Sequence, residues 1–200
     1  MGAVRRLREP RPASIADGDL VARVRDGDRW AEDALYRRHA RPVASVVARL
    51  LGTRQDVEDV VHDAFLSAFE QIDRLRDPDK FGRWLMRIAV TQVRRSLRRK
   101  RLRRALGLLP SGDDLALERL ASTRAGPDVQ AELAVVDGIL RRLPADQRIA
   151  WMLRYVEGHR LEDVAELCGC SLATAKRRIA RARSTMDQVI GVRLDEEEAT

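Results

Sequence analysis

One stretch limits the fold more than any other: DVEDVVHDAFLSAFEQI, residues 56–72. Val57, Val60, Val61, Ala64, Phe65, Ala68, Phe69 and Ile72 recur at three- and four-residue steps, the period of one face of an α-helix. A stripe that wide is stable only when buried against other helices. Acids decorate the first turns of this helix: Asp56, Glu58, Asp59 and Asp63. They suit the positive end of the helix dipole there.

The same period recurs along the chain. Leu20, Val21 and Val24, followed by Trp30, Ala34 and Leu35, predict a helix from about Asp19. A second helix is expected from about Pro42 to Leu51, closed by Gly52. Pro78 punctuates RDPDK, and the pattern resumes with Phe81, Trp84, Leu85, Ile88, Ala89, Val93 and Leu97. Later come Val135, Val136, Ile139, Leu140 and Leu143, then helices in ADQRIAWMLRYVEG and LEDVAELCG. Alternating β-branched and aromatic runs are missing, so the expected class is all-α. Two small helical domains are expected, joined by a flexible linker. The boundaries are a basic disordered tail over 1–17, a first domain over 18–104, a linker over 105–131, a second domain over 132–190 and an acidic tail over 191–200.

Charge points to an anionic partner: 38 Lys and Arg against 31 Asp and Glu give a net +7. The cations cluster. Between Arg94 and Arg104, eight of eleven residues are Arg or Lys. A helix with Phe81 and Trp84 near its start and arginines near its end combines stacking surface with charge, as single-stranded nucleic acid requires. Core packing of Phe81 and Trp84 explains their spacing equally well.

The second cluster lies in CGCSLATAKRRIARARSTM, residues 168–186. Leu172, Ala175, Ile179, Ala182 and Met186 form an apolar edge; Lys176, Arg177, Arg178, Arg181 and Arg183 lie between them. Ser171 is placed to cap the helix. With LEDVAELCG before it and Gly169 in the turn, this is a helix-turn-helix pattern whose second helix enters the major groove. Ser171, Thr174, Lys176, Arg177 and Arg178 are the candidates for bases or adjacent phosphates; Arg181 and Arg183 suit phosphates.

Other chemistry finds no footing. The acids around His62 lack the further ligands of a metal site, and no nucleotide-binding or nucleophile motif is present. No enzyme activity, metal or cofactor is expected. Cys168 and Cys170 read as small packing residues. No apolar run is long enough to span a membrane, and the N-terminus lacks a secretory signal pattern; a cytoplasmic protein with no direct membrane insertion is expected.

The order of these segments resembles bacterial sigma factors of the extracytoplasmic function (ECF) group. The resemblance rests on DVEDVVHDAFLSAFEQI, FGRWLMRIA and LRRLPADQRIAWMLRYVEGHRLEDVAELCGCSLATAKRRIARAR, in that order, and spans residues 18–188. It implies a region 2 domain that binds the β′ clamp helices of core RNA polymerase and opens the −10 element. It implies a region 4 domain that reads the −35 element and touches the β flap, and control by an anti-sigma factor. Carried over, Asp56, Glu58, Asp59, His62 and Asp63 form the core-binding surface. Arg76, Asp77 and Lys80 lie in the loop that captures a flipped −10 base. Trp84, Arg87, Thr91, Arg94 and Arg95 lie along the melted strand, and Ser171, Thr174, Lys176, Arg177, Arg178 and Arg181 meet the −35 element.

The chain departs from the pattern at four places. The family usually has Gln at His62, Asn at Thr91, often Asp at Arg95, and Ser at Arg177. Two other readings carry distinct expectations. A family-derived interaction protein would bind polymerase or an anti-sigma factor without opening promoters. A stand-alone helix-turn-helix regulator would bind duplex DNA tightly without polymerase.

Overall fold

The computed structural model describes residues 15–108, 136 and 138–198, with side chains to residue 188. Among them every regular element is helical. Residues 1–14 of the tail expected over 1–17, and most of the expected linker, lie outside the described residues; Asp17 already opens the first helix.

The first half is built from α1 (Asp17–Arg25), α2 (Arg29–Leu51), α3 (Val57–Glu70) and α4 (Phe81–Ala105). The sequence reading places one helix across Asp19–Leu35 and starts another at Pro42. The chain instead breaks at Asp26–Asp28 and then runs as one helix to Leu51. Asp28 causes the break by capping α2: its carboxylate accepts the Trp30 amide at 2.9 Å. Pro42 does not end α2 because it lies on the exposed side, where water can take up the carbonyl it leaves unpaired. The buried stripe of Ala31, Ala34, Leu35, Val43, Val46, Val47 and Leu50 passes beneath it unbroken.

The α3 stripe packs on α2 and α4 as its width demands. At the centre Phe81 is fully buried. A chain of rings surrounds it: Tyr36–Phe65, Phe65–Phe69, Phe69–Phe81 and Phe81–Trp84 have centroids 4.6, 5.9, 6.4 and 6.2 Å apart. Next to Phe81, Gly82 lets α4 approach His39 closely; a Cβ there would lie 2.8 Å from the imidazole. His39 in turn contacts Asp17 of α1 at 2.8 Å.

The second half contains a helical stretch over residues 138–142, then α5 (Ala145–Tyr155), α6 (Leu161–Leu167) and α7 (Leu172–Glu198). Ile149, Met152, Leu153, Val164, Ala175, Ile179 and Ala182 form its core. The α7 backbone continues to Glu198, through most of the segment set apart as an acidic tail. The two halves touch: α4 packs against α5 and α6, and α2 against α5.

Candidate nucleic-acid interface

The helix-turn-helix is formed by α6, the turn Cys168–Ser171 and α7. Gly169 takes φ 61°, a left-handed value that glycine adopts without strain. Ser171 caps α7 as its chemistry dictates: its Oγ accepts the Thr174 amide at 3.2 Å. The two hydroxyls lie 2.9 Å apart. Cys168 is buried in the turn, and that burial pushes its thiol up to about 11, so it stays protonated at neutral pH.

Around α7 the cations divide into two groups. Lys176, Arg177, Arg181 and Arg183 are exposed, while Ala175, Ile179 and Ala182 are buried. Arg178 is only 23% exposed and turns toward Asp146, at the start of α5 in the same half.

Along α4 the same division holds. Arg87 and Arg95 are exposed. Trp84 is half-buried against the core, and the Thr91 hydroxyl donates to the Arg87 carbonyl at 3.0 Å. Arg94 faces inward and is 19% exposed. Before α4, Arg76 is exposed, and Lys80 pairs with Asp77 at 2.7 Å. That hydrogen bond holds the Asp77 carboxyl below its usual range and raises Lys80. The loop is further anchored where Arg25 donates to the Ile72 and Leu75 carbonyls at 3.0 and 2.6 Å.

On α3, Glu58, Asp59, His62 and Asp63 are exposed and Asp56 is half-exposed. This acidic ridge borders two clefts. One is shared with Ser96, Arg99, Lys100 and Arg103 of α4. The other is lined by Tyr36, Ala40 and Ala44 of α2.

Several residues that bridge the halves escape the sequence reading. Asp146, at the start of α5, contacts Arg94 Nε at 2.8 Å, Arg98 Nη2 at 2.6 Å and Arg178 Nη2 at 3.7 Å. Arg83 binds Asp163 at 2.5 Å and Glu166 at 2.6 and 3.0 Å. Arg49 pairs with Glu157, which holds its guanidinium above the usual range. Arg83 fell between named positions of an amphipathic helix, and Asp146 reads as a first-turn dipole acid. Neither carries a local signal of a distant partner.

The fold and these surfaces define an all-helical protein in which a basic helix and a helix-turn-helix share one chain. Sigma-70 region 2 matches residues 35–103, and Sigma-70, region 4, matches residues 133–186. The ECF RNA polymerase sigma-E factor of Haemophilus influenzae is 32% identical over 188 residues, covering 88% of this chain and 96% of that protein. The Escherichia coli K12 protein of the same name is 33% identical, covering 88% and 95%. Among solved structures, CnrH in complex with the cytosolic domain of CnrY is 28% identical with a TM-score of 0.57, covering 89% of this chain and 99% of that one. The chain belongs to the ECF sigma factors of the sigma-70 family.

Proposed function

We propose that this chain is an alternative sigma factor that acts through three surfaces and catalyses no reaction itself. It binds core RNA polymerase, directs it to promoters through the −35 and −10 elements, and helps melt the DNA. Asp56, Glu58, Asp59, His62 and Asp63 form the face for the β′ clamp helices. Arg76, Asp77, Lys80, Trp84, Arg87, Thr91, Arg94 and Arg95 serve the −10 element. Ser171, Thr174, Lys176, Arg177, Arg178 and Arg181 serve the −35 element, with Ser171 contributing chiefly by capping the helix that carries the others. The further partners are the β flap and an anti-sigma factor, and the place of action is the cytoplasm. Among the described residues no helix is long and apolar enough to cross a membrane.

The observation that carries this reading is a capped recognition helix with exposed Lys176, Arg177 and Arg181, in one chain with a basic helix and an exposed acidic ridge. A carboxylate ridge recognises a partner through complementary charge, and reversing that charge penalises association. The double variant Asp59→Lys/Asp63→Lys should therefore lose about tenfold or more in affinity for core polymerase, measured by fluorescence anisotropy, with unchanged helicity. Wild-type affinity in that variant would remove the acidic ridge from the polymerase contact.

A further inference from the structure

We propose that the cleft between the C-terminal half of α4 and the start of α5 is a binding site for a small oligophosphate anion, either a free phosphate chain or one carried by a nucleoside. None of its lining residues belongs to the surfaces assigned above to polymerase or promoter. Leu97, Lys100, Arg101 and Arg104 recur at three- and four-residue steps, so one face of α4 turns its side chains into the cleft. Arg141 and Arg142, from the helical stretch before α5, form the facing wall. With Arg98 and Arg148, seven cations line the cleft against one acid among the described residues, Asp146.

Two features separate this cleft from a solvated basic face. Arg148 is only 4% exposed. A guanidinium keeps its charge, and burial tolerates that charge only where an anion is close. Lys100 is half-buried beside it. Burial first, and then the charges of Arg104, Arg141 and Arg148, lower its ammonium against the pull of Asp56. Cations crowded to that degree set up a positive potential that an incoming anion relieves. The start of α5 adds to it. That helix opens from the cleft wall at Pro144 and Ala145 with no side-chain cap, so the positive end of its dipole lies at the cleft.

Shape and size define the class of anion. The cleft has a volume of about 450 Å³, within the range of small-ligand sites, roughly 300–1,000 Å³. From Leu97 to Arg104 the face of α4 rises roughly 10 Å at about 1.5 Å per residue, so its cations form a row that a chain of linked phosphates spans and a single orthophosphate does not. Guanidinium forks grip phosphate oxygens through paired charge-assisted hydrogen bonds. A nucleic-acid duplex carries its phosphates on a convex backbone and cannot bring them to the buried Arg148. Leu51, Leu97, Leu143 and Pro144 give part of the lining an apolar character, which suits a nucleoside base attached to the phosphate chain.

The test is calorimetric titration of the full chain, at fixed ionic strength, with inorganic tripolyphosphate, ATP and orthophosphate. Tripolyphosphate should bind at one site per chain and at least about tenfold more tightly than orthophosphate. ATP binding more tightly than tripolyphosphate identifies a nucleoside polyphosphate seated on the apolar lining; equal affinity identifies the phosphate chain alone. Arg101→Glu/Arg142→Glu reverses two exposed cations of the cleft and should weaken tripolyphosphate about tenfold or more. Arg99→Glu/Arg103→Glu makes the same change in net charge on the side of α4 that lines the α3 cleft, and should weaken it less than about threefold. Equal losses in the two variants would overturn the site, because net charge alone would then explain the binding. So would several weak sites per chain, or orthophosphate binding as well as tripolyphosphate. A single-stranded RNA decamer that binds more tightly than either probe, and loses that affinity only in Arg101→Glu/Arg142→Glu, would overturn the small-anion class.

Discussion

Arg178 shows how one side chain can serve two states. In the structure it approaches Asp146 at 3.7 Å with little exposure; in the proposed promoter complex it belongs with the residues that reach base edges. Arg178→Ala removes both roles, and the two are separable. Loss of the Asp146 contact changes binding to every sequence equally, whereas loss of a base contact changes discrimination. With core polymerase present, Arg178→Ala should reduce the preference for the true −35 sequence over a mismatched one by about 1–3 kcal/mol, measured by competition binding. A loss equal on all sequences would make Arg178 a phosphate contact. At this scale the sequence was a good guide to chemistry and a poor one to partners. Lys176 and Arg177 were recognisable as presented cations from their places between Ala175 and Ile179. The pairing of Arg94 with a carboxylate 52 positions away (94 to 146) left no trace in the local pattern, because tertiary ion pairs impose no period.

Elements were legible wherever burial imposed the helical repeat. The α3 stripe and the capped α7 follow the expected positions. The errors fell at α1 and α2, where two signals misled. Trp30, Ala34 and Leu35 continue a helical spacing across a real break, and Pro42 marks a boundary that its exposed position makes unnecessary. The turn between α6 and α7 depends on one glycine. Gly169 holds φ 61° with open space where a Cβ would sit, so Gly169→Ala meets a backbone penalty alone. It should destabilise the protein by about 1–2 kcal/mol, read from urea unfolding. Wild-type stability would mean that the turn relaxes to another geometry.

On the scale of the whole molecule, the halves expected to act as separate bodies lie in contact. They meet where Arg94 and Arg98 of α4 reach Asp146 of α5 and where Arg83 reaches Asp163 and Glu166 of α6. The contact also has a pH signature. The Arg83 hydrogen bond holds the Asp163 carboxyl below its ordinary 3.8, so the ionised form is the one bound. Its contribution is complete above 3.8 and disappears as pH falls through the depressed value. The difference in unfolding midpoint between wild type and Asp163→Asn should therefore be constant from neutral pH to about 4 and close below it. A difference that persists unchanged in stronger acid would mean that charge at Asp163 is not what joins the halves.

The central claim is that this chain gives core RNA polymerase its choice of promoter. Run-off transcription with purified core enzyme on fragments of the source genome tests it most directly. The account predicts discrete, promoter-specific products that appear only when this protein is added. Core enzyme that binds the protein yet yields no such product on any fragment would contradict it.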